Sequence, residues 1–74
     1  MKIYNQIKAE RSRQDNKWGE QNHMPFKWLA ILGEEVGESN KAALELKLTQ
    51  YRKELIQVAA VAVAAIECMD RNLA

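Results

Sequence analysis

Apolar residues recur along this chain with a helical period, and their density rises towards the C-terminus. Ile3, Tyr4 and Ile7 fall on one face of a helix over residues 2–15, after which the segment turns wholly polar. Residues 16–24, Asn-Lys-Trp-Gly-Glu-Gln-Asn-His-Met, read as an ordered loop in which Gly19 takes a positive φ and Trp18 packs on something. Pro25 suits the first turn of a helix, where its missing N–H costs nothing. From there Phe26, Trp28, Leu29, Ile31, Leu32, Val36, Ala42, Ala43 and Leu44 mark an amphipathic helix to about Lys47. Thr49 is expected to cap a third helix from about Gln50 to Arg71. So short a link makes the last two helices antiparallel neighbours.

The third helix is apolar on every side: Leu55, Ile56 and the run Val58–Ile66 leave no polar face. A helix of that kind is surrounded by protein, and two short helices do not suffice to enclose it. A second copy is therefore expected on the face bearing Val58, Val61, Ala62 and Ala65. The predicted architecture is all-α, a single domain over residues 1–74. An antiparallel helical hairpin and a short N-terminal helix complete a four-helix-type bundle as a homodimer or homotetramer.

Size and charge sharpen this picture. A chain of 74 residues buries only about 60% of its unfolded surface, which makes a lone monomer marginal. Cys68 is the sole cysteine, so disulfides do not supply the deficit; it reads as a small buried hydrophobe in a reducing cytoplasm. The longest apolar run falls short of the ~20 residues that cross a bilayer, so no membrane partner is expected. A net charge of +1 argues against nucleic-acid binding by phosphate neutralisation. The charge is uneven: residues 1–27 hold six Lys/Arg against three acids, and residues 28–74 hold five against seven. The second half suits a cation and the first half an anion.

The chemistry concentrates in Gly33-Glu34-Glu35-Val36-Gly37-Glu38. Glu35 and Glu38 share a helical face, and Glu34 lies one turn from Glu38. Like charges at this spacing destabilise a helix by roughly 0.2–0.5 kcal/mol per pair, and each glycine costs about 1 kcal/mol relative to Ala. A hard divalent cation would resolve the repulsion, and the glycines would admit another helix or a ligand. On its own the motif fits a solvated acidic face at least as well. The next helix adds Glu54 and Gln57, three apart, and a hairpin turn brings them back opposite Glu35 and Glu38. Glu67 and Asp70 have the same spacing, but Glu67 lies about 220° round the helix from Glu54 and reads as a solvated end or a partner contact.

Glu34-Glu35-Val36-Gly37-Glu38, then fifteen residues, then Glu54-Leu55-Ile56-Gln57 resembles the signature of the MazG-like all-α nucleotide pyrophosphohydrolases, over roughly Trp18 to Asp70. The resemblance implies hydrolysis of a nucleoside triphosphate to the monophosphate and pyrophosphate, of the house-cleaning type. It implies Mg²⁺, or Mn²⁺, held by Glu35, Glu38 and Glu54, with Glu34 as the base that activates water or as a supporting group. Gln57 stands where the family has Asp; its carbonyl can ligate, with one charge fewer. An inactive nucleotide- or metal-binding homolog and a helical interaction module are the alternatives. Lys17 or Arg13 is expected to reach phosphate. Trp18 and Trp28 are candidates to stack a nucleobase, Trp28 being the better suited to core packing. His23 is expected to cap or hydrogen-bond locally.

Overall fold

A computed structural model describes residues 2–73. They form three helices, α1 (Lys2–Trp18), α2 (Pro25–Leu44) and α3 (Leu48–Leu73), with no strand among the described residues. No helix is long and apolar enough to cross a membrane. α2 and α3 form the expected antiparallel hairpin, and α1 packs along α3. The core is small. Trp28 from α2 is buried against Val61, Ala64 and Cys68 of α3, with Ile31, Leu32 and Ala65 packed around them. Cys68 is buried as expected.

Chain reversals set the helix ends. Gly19 has φ of 74° and its N–H donates to the Asp15 carbonyl at 2.8 Å, closing α1 with a left-handed glycine. α1 therefore continues through Asn16 and Lys17 to Trp18, past the predicted stop at residue 15. Lys47 N–H donates to the Ala42 carbonyl and Leu46 N–H to the Ala43 carbonyl, the paired bonds of a Schellman turn. That turn stops α2 at Leu44, earlier than expected, and starts α3 at Leu48. Thr49 is thus inside the helix and caps nothing. Pro25 does open α2, behind Met24 in an extended conformation.

The Schellman turn places Leu46 at φ of 55°, a left-handed conformation that costs a non-glycine residue roughly 1–2 kcal/mol. Its side chain is exposed, so little packing is lost by removing it. Leu46→Gly is expected to raise the free energy of unfolding by about 0.5–1 kcal/mol after the added freedom of the unfolded chain is counted. A urea denaturation midpoint checks this.

Two expectations about α3 and α2 are corrected. The face chosen for a second copy is in part the intramolecular core: Val61 is only 6% exposed, and Ala65 packs on the same cluster. An all-apolar helix gives no periodicity from which to tell its inner face. The exposed large apolar residues of α3 are instead Leu48, Leu55, Val63, Ile66, Met69 and Leu73. Gly33 and Gly37 admit no neighbouring helix of this chain, since a Cβ at either would meet nothing within 4 Å.

Candidate functional site

The hairpin brings the acidic residues of α2 and α3 together. Glu35 and Glu38 lie one turn apart on α2, and Glu54 faces them from the first turns of α3. One carboxylate oxygen from each lies within 4.8 Å of the others. Glu54 is buried, at 9% exposure. Its Oε1 accepts from the Gln50 amide, and its Oε2 is buried with no partner. An unpaired buried carboxylate oxygen is costly, by about 1–3 kcal/mol or more for a charged group.

Electrostatics register the crowding. Burial pushes the Glu35 carboxyl above the ordinary carboxylate range, and the charges of Glu38 and Glu54 add to it. Glu38 is raised by its hydrogen bond to Glu54, then by the charge of Glu54. The neighbouring negative charges oppose ionisation of Glu35 and of Glu38. Glu34 is exposed on α2 and raises both neighbours through its charge.

The donor set can be tested against Mg²⁺. Octahedral oxygens at about 2.1 Å from the ion stand roughly 3–4 Å apart, and hard oxygen donors are what it prefers. The cluster offers three carboxylates at nearly that spacing, and Glu54 Oε2 has a vacant lone pair. The residues fit the ion.

Beside this cluster a cavity of about 170 Å³ opens between α1 and α2, floored by α3. Glu35 and Gln57 stand on its wall, with Trp28, Ile31 and Val61 as its apolar side. Arg11, Gln14 and Trp18 close it from α1, and Gln21 from the loop. The loop is anchored to the end of α3, where Arg71 donates to the Gln21 carbonyl at 3.0 Å and to Asn22 Oδ1 at 3.1 Å. Trp18 is thereby held at the rim, 55% exposed.

Of the sequence-predicted residues, the hairpin assembles Glu35, Glu38 and Glu54, and the cavity gathers Glu35, Gln57, Trp18 and Trp28. On α1 the Glu10 carboxyl is held low chiefly by Arg13. Arg13 is thus committed to Glu10, at 2.9 Å. Lys17 sits over the Trp18 ring, 4.6 Å from its centre. Trp28 is core, as its helical position suggested. His23 shares a hydrogen bond with Gln21 at 3.0 Å and packs edge-on against Trp28. Glu67, read as a solvated end or a partner contact, is half-exposed and pairs with Arg11 of the same chain at 2.8 Å.

Arg11 was missed. Its guanidinium meets Glu67, Gln14 and Asp15 on the cavity wall. The available signal was the spacing of Arg11, Gln14 and Trp18, one polar face of α1 whose sole buried residue is Gln14. A scan against protein-family models finds no match, and neither curated proteins nor solved structures provide one.

Proposed function

We propose that this protein is a Mg²⁺-dependent, MazG-like nucleoside triphosphate pyrophosphohydrolase, acting as a homo-oligomer in a reducing cytoplasm. The observation that carries the reading is the convergence of Glu35, Glu38 and Glu54, with an unpaired buried oxygen on Glu54. Bound there, a divalent ion supplies charge neutralisation of the polyphosphate and acidifies water. Glu35, Glu38 and Glu54 would hold it, with the Gln57 carbonyl as a candidate fourth donor. Glu34, exposed beside them, takes a proton from the attacking water.

The cavity is smaller than the ~300–1,000 Å³ of drug-sized ligand sites, and suits one planar ring with the phosphates lying outward to the carboxylates. Trp18 stacks that ring, and Lys17 beside it supplies positive charge for the phosphates. Base–aromatic stacking is worth about 1–3 kcal/mol. Trp18→Ala is therefore expected to raise KM by roughly tenfold or more with little change in kcat, measured by steady-state kinetics.

A pyrophosphate-release screen over the common ribo- and deoxyribonucleoside triphosphates, with Mg²⁺ and with Mn²⁺, tests the activity. Monophosphate and pyrophosphate in equal amounts support it; diphosphate and phosphate contradict it. Gln57 in place of the family's Asp favours a second reading, an inactive homolog that binds metal or nucleotide. Metal binding without turnover in the same screen selects that reading.

A further inference from the structure

The tip of the α2–α3 hairpin takes no part in the cavity or the carboxylate cluster. Leu44 ends α2, Leu46 lies in the turn and Leu48 opens α3. They are 86%, 79% and 67% exposed, and no large apolar residue among those described is barer than the first two. Together they expose on the order of 400 Å², the size at which an apolar patch on a monomer is often functional. At the φ of 55° that Leu46 adopts, glycine is the residue of least strain. The chain places a leucine there instead, and the fold gains little packing from its solvent-facing side chain.

Positive charge surrounds these leucines. Residues 41–53 hold Lys41, Lys47, Arg52 and Lys53 against Glu45 alone, a net +3 in a chain whose total is +1. Lys41 precedes Leu44 by three residues and Arg52 follows Leu48 by four. A cation therefore stands one helical turn behind each of these leucines, on the same face. Glu45 is paired with Lys47 at 3.3 Å, and Arg52 donates to the neutral Gln6 amide at 2.8 Å. The next acids along the two helices, Glu38 and Glu54, are six residues beyond Leu44 and Leu48, about 9 Å or one Debye length away.

We propose that the hairpin tip docks on an anionic phospholipid surface, with the three leucines in the acyl boundary and the cations at the phosphates. No helix is long and apolar enough to cross a bilayer, and a peripheral contact needs no such helix. One helical turn, about 5.4 Å, sets leucine and cation at the two depths of such a contact. The Lys and Arg stems reach further and keep their heads in water. Shape favours the same occupant. Three exposed aliphatic side chains on a convex turn offer no aromatic plane for a nucleobase and no groove for a peptide, whereas a fluid bilayer moulds to a protrusion. The contact is independent of the metal and of hydrolysis.

Co-sedimentation with vesicles of phosphatidylserine and phosphatidylcholine tests this, with phosphatidylcholine alone as the neutral control. The full chain is expected to be half-bound at accessible lipid on the order of a millimolar or less when phosphatidylserine is present. With neutral vesicles it should stay in solution. Leu46→Gly is the sharpest variant, because it relieves backbone strain and so does not lose binding by unfolding. It should weaken binding roughly tenfold or more, as the loss of one buried leucine does. Lys41→Gln combined with Lys47→Gln should weaken it by about thirtyfold, at about fivefold per cation, with Mn²⁺ binding unchanged. A wild type that stays in solution with the anionic vesicles overturns the proposal. So does Leu46→Gly binding as well as the wild type, or equal binding to neutral and anionic vesicles. Self-association of the lipid-free chain in sedimentation equilibrium, lost with Leu46→Gly, would give the tip to a second copy and overturn it too.

Discussion

Glu54→Gln is expected to abolish hydrolysis while making the metal-free protein more stable. The substitution keeps the length of the side chain and replaces a carboxylate crowded by Glu35 and Glu38 with a neutral amide. Its NH₂ can donate where Glu54 Oε2 finds no partner, and both neighbours lose a like charge. A net gain of about 1 kcal/mol is the scale of one restored hydrogen bond, read from the thermal midpoint in chelator. The same change removes the most buried of the three anionic ligands. A metal ion contributes several kcal/mol of transition-state stabilisation, and at 1.36 kcal/mol per tenfold in rate the expected loss of kcat/KM is about a hundredfold or more. Opposite signs for stability and activity distinguish a functional site from a structural one. A variant that loses both would mean that Glu54 serves packing.

Mg²⁺ is expected to stabilise the protein at neutral pH and to lose that effect in acid. Glu35 and Glu38 have raised carboxyl pKa values in the folded state. The folded chain therefore binds more protons than the unfolded chain between the ordinary carboxylate pKa and the raised ones. Stability from this source is complete below the unfolded value and falls as pH rises through the folded value. Glu10 works the other way: its lowered pKa contributes stability above the ordinary value, lost as pH falls through the folded one. Mg²⁺ touches only the first effect, because it takes the place of the protons. At a concentration a hundred times its Kd it adds about 2.7 kcal/mol, which for a domain of this size is a shift in Tm of more than about 10 °C. Melting curves with and without Mg²⁺, compared from neutral pH down to the carboxylate range, should converge as pH falls. Curves that stay equally separated throughout would mean that the ion binds elsewhere.

The two helices of the hairpin were legible because their apolar residues repeat at helical spacing and Pro25 marks a start. The acidic cluster followed from that hairpin, since a short turn returns Glu54 beside Glu35 and Glu38. Gly19 was readable as a left-handed position, but not as the end of α1. The stretch from Arg11 to Trp18 is a helix with almost no apolar face, and its docking depends on polar pairs such as Arg11 with Glu67. Periodicity does not report such pairs, which is why Arg11 and Gln14 escaped notice. The inner face of α3 was misassigned for the opposite reason: Val61 and Ile66 are equally apolar, and only the position of Trp28 decides which of them is covered. Leu46 in a glycine conformation disguised the turn between α2 and α3.

The central claim is that Glu35, Glu38 and Glu54 hold a divalent cation, and Mn²⁺ is the visible substitute for Mg²⁺. Titration of the protein with Mn²⁺, followed by the EPR signal of the free ion, counts what is bound. Saturable binding to the wild type that is competed by Mg²⁺ and absent in Glu54→Gln is the predicted result. Equal binding by the wild type and Glu54→Gln would contradict the account.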